Sequence, residues 1–126
     1  YGLAEAGLAV AFPCLGRGVK SLRVRRHDLG EGVVEPARPE EANTREVVSV
    51  GRPVDGLEIA LLGADGERLS ERRVGEILVR GASVMVGYDE DLAATGGAFH
   101  EGWLRTGDLG FRFDGELYVT GRQKDL

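Results

Sequence analysis

Apolar and polar positions along this chain fall into short runs that glycines and prolines keep interrupting. Residues 8–12 form a brief apolar run closed by Pro13, which reads as a buried strand or the end of an element begun upstream. Residues 19–26 alternate apolar and polar side chains, as a half-buried strand does. From His27 to Glu46 the sequence turns polar and is broken by Gly30, Gly32, Pro36 and Pro39, so an irregular excursion is expected. About 20 residues without periodicity is long for a loop in a compact domain, and such stretches are usually functional or mobile.

Beyond it, short strands follow closely. Residues 47–50 lead into Gly51-Arg52-Pro53, then a second strand covers 57–62, and Asp65-Gly66 reads as a turn. In the strand at 75–80, Glu76, Leu78 and Arg80 share one face, and Ile77 and Val79 the other. Residues 91–99 could make one or two helical turns with Asp91 as N-cap, weakened by Gly96 and Gly97. Two alternating runs, 111–113 and 116–120, flank Asp114-Gly115, a strong hairpin signal because both turn positions tolerate positive φ. The pattern predicts a mainly β fold, an antiparallel sheet or barrel. No repeat of solenoid or propeller length is present.

Composition explains the punctuation. The 126 residues include 20 glycines but only 4 prolines; that is about 16% Gly against roughly 7% in an average protein, without the three-residue period of collagen. With 42% hydrophobic and 29% charged residues, the chain is globular rather than disordered. Sixteen basic against 21 acidic residues give a net charge of −5, which argues against a nucleic-acid-binding protein. The densest basic cluster, Arg23, Arg25 and Arg26, alternates with Leu22 and Val24 and reads as the solvated face of a strand. Cys14 stands alone, so no intrachain disulfide is expected, which fits a reducing, cytoplasmic setting. No apolar run approaches the length of a membrane span. The chain starts at Tyr1 and ends at Leu126 without the polar, flexible linkers usual at domain boundaries, so a slice of a larger protein is expected.

Most familiar chemical constellations are missing. Gly18-Val19-Lys20-Ser21 lacks the spacing of a phosphate-binding P-loop, and Gly16-Arg17-Gly18 is too short for a dinucleotide fingerprint. Two histidines and one cysteine make no zinc pattern, and neither Ser49 nor Ser83 sits in a nucleophile elbow. What remains is polar residues beside glycines. Arg105-Thr106-Gly107-Asp108-Leu109-Gly110 sets a carboxylate between two glycines ahead of a hairpin. One carboxylate has about four acceptor sites and could take both hydroxyls of a ribose; it could equally be a turn aspartate bonding its own backbone. Gly121-Arg122-Gln123-Lys124-Asp125 places cations just after the last strand, for a phosphate or nucleotide or as a surface feature. Tyr1-Gly2-Leu3-Ala4-Glu5 pairs an aromatic platform with a carboxylate, suited to base stacking and Mg²⁺ or simply to packing.

Taken in order, these segments resemble the adenylate-forming superfamily of acyl-activating enzymes. Tyr1 to Glu5 looks like the Tyr-Gly-x-Thr-Glu motif. Gly75-Glu76-Ile77-Leu78-Val79-Arg80-Gly81 through Gly87-Tyr88 resembles the Gly-Glu-Leu…Gly-Tyr motif, and Leu104 to Asp108 matches x-Arg-Thr-Gly-Asp. Gly121 to Asp125 is similar to the Gly-Arg-x-Lys/Asp hinge motif. Ala4 in place of the usual Thr, and the long stretch from Lys20 to Val50 ending in Glu46-Val47-Val48-Ser49-Val50-Gly51-Arg52-Pro53, look like the fatty-acyl-AMP ligase branch and its insertion. Gly7, Asp89 and the absence of Pro in 91–97 depart from the family pattern.

The resemblance implies a mainly β fold, the distorted antiparallel barrel or sheet portion of the large N-terminal domain of an α/β parent enzyme. Residues 1–121 would belong to that domain, with 20–50 as the insertion, and 122–126 would open the hinge to a small C-terminal domain. The implied reaction activates a fatty acid with ATP to an acyl-adenylate and pyrophosphate, then passes the acyl group to an acyl carrier protein or polyketide synthase module. Glu5 would be catalytic and hold Mg²⁺, Tyr1 would lie against the adenine ring, Gly2 would let the backbone approach the nucleotide, Asp108 would grip the ribose hydroxyls, and Arg122 would assist there. Lys124 would be the hinge residue, with Asp125 its neighbour. The 126 residues alone are expected to be inactive, since the upstream phosphate loop and the C-terminal lysine of the family lie elsewhere. Alternatives are a long-chain acyl-CoA synthetase with CoA as acceptor, a peptide-synthetase adenylation domain, or a non-catalytic β-barrel module that binds a protein partner.

Overall fold

The computed structural model describes residues 11–12, 20–81 and 99–122. Among these residues, eight strands and one helical turn follow in chain order: β1 (Ala11–Phe12), β2 (Ser21–Arg25), α1 (Arg26–Gly30), β3 (Thr44–Pro53), β4 (Leu57–Leu62), β5 (Gly75–Gly81), β6 (Phe99–His100), β7 (Trp103–Phe113) and β8 (Glu116–Arg122). The sheet order is β1-β3-β8-β7-β5-β4, with β2 also paired to β3 and β6 to β7. Every pairing is antiparallel. This is the mainly β, antiparallel architecture the glycine-punctuated pattern predicts.

Alternation places the core. Leu57, Ile59 and Leu61 of β4 meet Ile77 and Val79 of β5, Leu104 of β7 and Leu117 of β8 in one cluster. Each such side chain, fully buried, is worth about 1.5–3 kcal/mol. Leu78 points the other way and packs with Ala60, Leu62 and Trp103, so β5 keeps the predicted division of faces while both faces are covered. Over the Trp103 ring lie the guanidinium groups of Arg68 and Arg80, 4.5 and 4.2 Å from its centroid. Arginine stems and cation–π attraction thus cover a face that would otherwise expose indole.

The β7–β8 hairpin forms where Asp114-Gly115 predicts it. Both residues have positive φ, 52° and 78°, the type I′ geometry that matches strand twist. Glu71 reinforces the turn, accepting the N–H of Asp114 at 3.0 Å and of Gly115 at 2.8 Å. Phe111 and Tyr118, cross-strand partners, stack with centroids 4.9 Å apart.

Two expectations change. The stretch from 27 to 46 is not irregular throughout: α1 occupies its start, and β3 begins at Thr44. Between them, Val34 N–H donates to the Arg72 carbonyl at 2.9 Å and Val74 N–H to that of Gly32 at 3.0 Å. Val24, Val34 and Val47 share a buried cluster with Phe111 and Tyr118. The segment is therefore stitched to residues some 40 positions away, a tie that leaves no local periodicity to read. Similarly, residue 99, taken as the end of a helical turn, lies in β6, which hairpins to β7 through Glu101-Gly102 with both φ positive. The remainder of that expected turn, 91–98, lies outside the described residues.

Candidate functional site

Asp108 and Arg122 come together at the open end of the β7–β8 hairpin. Arg122 Nη1 donates to Asp108 Oδ1 at 3.1 Å. The carboxylate side chain is 8% exposed and the guanidinium half exposed, so the pair stands at the boundary between sheet and solvent. Tyr1, Gly2, Glu5 and Lys124, the other expected site residues, lie outside the described residues.

Strand irregularities create this juxtaposition. Counted back from the Asp114-Gly115 turn, a regular hairpin would pair Asp108 with Gly121. Instead Gly110 pairs with Val119 and Leu109 with Gly121, so one residue, Thr120, is bulged in β8 and Asp108 faces Arg122. A bulge re-aims side chains in this way. Thr120 is held in place by its hydroxyl, which donates to the Leu109 carbonyl at 3.2 Å, and by Arg45, which donates to the Thr120 carbonyl at 3.0 Å.

A second bulge lies on the other side of β7. Glu76 pairs with Leu109 and Leu78 with Arg105, so Thr106, Gly107 and Asp108 together oppose Ile77 alone. Gly107 adopts a φ of +76°, which a side chain tolerates poorly. Glu76, itself buried, organises the bulge. Its Oε1 accepts from Arg105 Nε at 3.1 Å and Nη2 at 2.7 Å, and its Oε2 from the Gly107 N–H at 3.1 Å. These hydrogen bonds hold the Arg105 guanidinium even more firmly protonated than usual. Thr106 Oγ1 donates to the Ile77 carbonyl at 2.7 Å and accepts from the Asp108 N–H at 3.0 Å. Asp108 is thus a bulge residue whose backbone N–H is tied by Thr106.

Glu76, Arg105 and Thr106 lie in the motif segments, but nothing in their local sequence assigns these three a role. The opposite charges of Glu76 and Arg105 are the one available signal, and their 29-residue separation across a bulge hides the pairing. A cleft of about 1030 Å³ runs beside the site, lined by Glu76, Arg105, Leu109 and Gly121 among others, yet touching neither Asp108 nor Arg122. The geometry of the pair, not the size of that cleft, carries the site. Its donor set suits a sugar: a carboxylate accepts from hydroxyls, and a guanidinium adds fixed donors. Among the described residues no group of three His, Cys, Asp or Glu could hold a metal ion.

A mostly antiparallel β-sheet with almost no helix among the described residues matches the N-terminal domain of adenylate-forming enzymes. Residues 1–89 match the family described as AMP-binding enzyme, and the chain belongs to that family. The medium-chain-fatty-acid–[acyl-carrier-protein] ligase JamA of Moorena producens is 41% identical over 138 residues, covering all of this chain and 23% of that protein. A sulfoacetate–CoA ligase of Cupriavidus necator is 45% identical over 102 residues, covering 75% of this chain and 20% of the ligase. A solved structure from a study of fatty acyl-adenylate ligases of E. coli and L. pneumophila superposes with a TM-score of 0.90 at 39% identity, over all of this chain and 23% of that one. The chain spans less than a quarter of the length of each. Among the described residues no helix is long and apolar enough to cross a membrane.

Proposed function

We propose that the whole protein is an acyl-activating ligase that converts a fatty acid and ATP to an acyl-adenylate, and then passes the acyl group to an acyl carrier protein. A carboxylate oxygen of the fatty acid bonds to the α-phosphorus, the bond from that phosphorus to the bridging oxygen breaks, and pyrophosphate leaves. Two anions meet in this step, so fixed cations and dipoles must offset their repulsion. Asp108 accepts from the ribose hydroxyls, and Arg122 steadies that carboxylate and the sugar beside it. Tyr1 would lie against the adenine ring, and Gly2 would let the backbone approach the nucleotide beside it. Glu5 would hold Mg²⁺, a hard cation that prefers carboxylate and phosphate oxygens and would offset charge on the triphosphate. Residues 1–121 form part of the large AMP-binding domain and 122–126 the hinge, with Lys124 as its pivot.

The observation that carries this reading is the Asp108–Arg122 pair, 3.1 Å apart, in two segments with the motifs of adenylate-forming enzymes. The carrier-protein acceptor is supported by the likeness to JamA, a ligase named for such a carrier. A second reading, with CoA as acceptor, is favoured by the likeness to a CoA ligase at 45% identity. The full-length protein, given ATP, a fatty acid and either CoA or holo-carrier protein, is expected to load the carrier and to form acyl-CoA slowly. Rapid acyl-CoA formation would instead select the CoA reading. Asp108→Ala is expected to lower kcat/KM for ATP about 100-fold in pyrophosphate exchange, the loss of two hydrogen bonds to a charged group at roughly 1.5 kcal/mol each. Unchanged exchange would sink the ribose assignment.

A further inference from the structure

We infer that Glu76 and Thr106 are positioning residues that hold the Asp108 carboxylate at the angle from which it grips a nucleotide's sugar. The inference rests on the reading of Asp108 given above and extends it to two side chains that bond the backbone at and next to Asp108.

Three residues of β7 stand against one of β5 here, so regular ladder bonds do not define the path from Thr106 to Asp108. Two side chains define it instead. Thr106 Oγ1 donates to the Ile77 carbonyl and accepts from the Asp108 N–H, which requires a group that does both at once. Serine can do this; valine, of nearly the same shape, can do neither. Glu76 receives donors at both oxygens, from Arg105 at Oε1 and from Gly107 at Oε2. Glutamine offers one oxygen only, so its amide N–H₂ would face either the guanidinium or the Gly107 N–H, donor against donor. The two side chains therefore bracket Asp108, one bonding its own N–H and the other that of the preceding residue. Supporting groups of this kind decide whether a binding side chain is merely present or correctly aimed.

The test uses the full-length enzyme and reads KM for ATP, KM for the fatty acid, and the preference for ATP over 2′-deoxy-ATP. Thr106→Val is expected to raise KM for ATP about tenfold and to erode the preference for the 2′-hydroxyl, since small misplacements of a positioned group carry large kinetic penalties. KM for the fatty acid should stay within twofold. Thr106→Ser should restore both ATP readouts, and Glu76→Gln should resemble Thr106→Val. Should Glu76→Gln fail to fold, the Val and Ser pair at 106 decides alone. Equal losses toward both substrates, with sugar preference intact and no rescue by Ser, would mean a structural role only and overturn the inference. So would unchanged ATP kinetics in Thr106→Val when Asp108→Ala is impaired. If Asp108→Ala itself leaves ATP kinetics unchanged, the ribose reading and this inference fall together.

Discussion

Two buried glutamates sit on bulges of this sheet, and they do different work. Glu76 borders the bulge of β7 against β5; Glu116, next to Leu117, borders the bulge of β3 against β8, where Val50 is the extra residue between the pairs Ser49–Tyr118 and Gly51–Leu117. Each accepts from a cationic side chain that stays partly exposed, Arg105 at 2.7 Å and Lys20 at 2.8 Å. At Glu116 the network closes on itself. Ser49 Oγ donates to Glu116 Oε1 at 2.6 Å and accepts from the Gly51 N–H at 2.9 Å. At Glu76 the network leads outward, through Gly107 and Thr106 to Asp108 and so to Arg122. A buried, satisfied acid is therefore no mark of function by itself. What the bulge presents at its far end separates a fastening from a site.

The largest effect is expected in the strip that joins the two glutamates. Gly110 pairs with Gly75 on one side and Val119 on the other, and a Cβ there would collide with the Tyr118 carbonyl and press on Ile77 Cδ1. Backbone cannot yield as a side-chain tip can, so Gly110→Ala should destabilise by about 3 kcal/mol, the upper part of the usual overpacking range. Thermal unfolding of the full-length protein measures it; an unchanged midpoint would mean that the strands separate more readily than their packing implies.

Next in size is Glu116→Ala. It strands the buried Ser49 hydroxyl and loosens the β3–β8 bulge, at a cost of about 2 kcal/mol. If the comparison holds, this loss appears in the thermal midpoint while KM for ATP stays within twofold, the reverse of what Asp108→Ala should do. A tenfold rise in KM for ATP in Glu116→Ala would erase the distinction between the two nodes.

The same contrast has a pH signature. Hydrogen bonds from Lys20 and Ser49 hold the Glu116 carboxyl below its ordinary value of 4.5. A carboxylate whose native pKa is depressed contributes stability in full above the unfolded-state value, and that contribution is lost as pH falls through the native one. The gap in thermal midpoint between wild type and Glu116→Gln should therefore be widest above about pH 5 and shrink on further acidification. A gap that grows below pH 4 would contradict the assigned hydrogen bonds.

How far the sequence announced all this depends on distance along the chain. The β7–β8 hairpin was legible because Asp114-Gly115 carries its geometry within two residues. The Asp108–Arg122 pair was half legible: each was marked by its glycine neighbours, but their facing depends on the extra residue at Thr120, which no composition rule places. Glu76 and Arg105 were both in view and stayed unconnected, since pairing across β5 and β7 is set by a three-against-one bulge. The segment from 27 to 46 read as irregular because its backbone bonds go to residues 72–74, far outside any local window.

The smallest expected change in stability is the sharpest test of the site. Gly110 and Gly121 look alike in sequence, each close to a residue of the Asp108–Arg122 pair. Gly110 is instead dictated by the Tyr118 carbonyl, whereas a Cβ on Gly121 meets nothing within 4 Å among the described residues, at an ordinary φ. Gly121→Ala should then shift stability by no more than about 0.5 kcal/mol, as surface changes do. Gly121 is the cross-strand partner of Leu109 and sits beside the Asp108–Arg122 pair. Because neighbouring residues of a strand point to opposite faces, a methyl group there stands on the side of Leu109 and away from a sugar held by Asp108, so KM for ATP should stay within twofold and the thermal midpoint in place. A severalfold rise in KM for ATP in this variant would put the sugar on the face of Leu109 and Gly121, and the ribose assignment to Asp108 would fail.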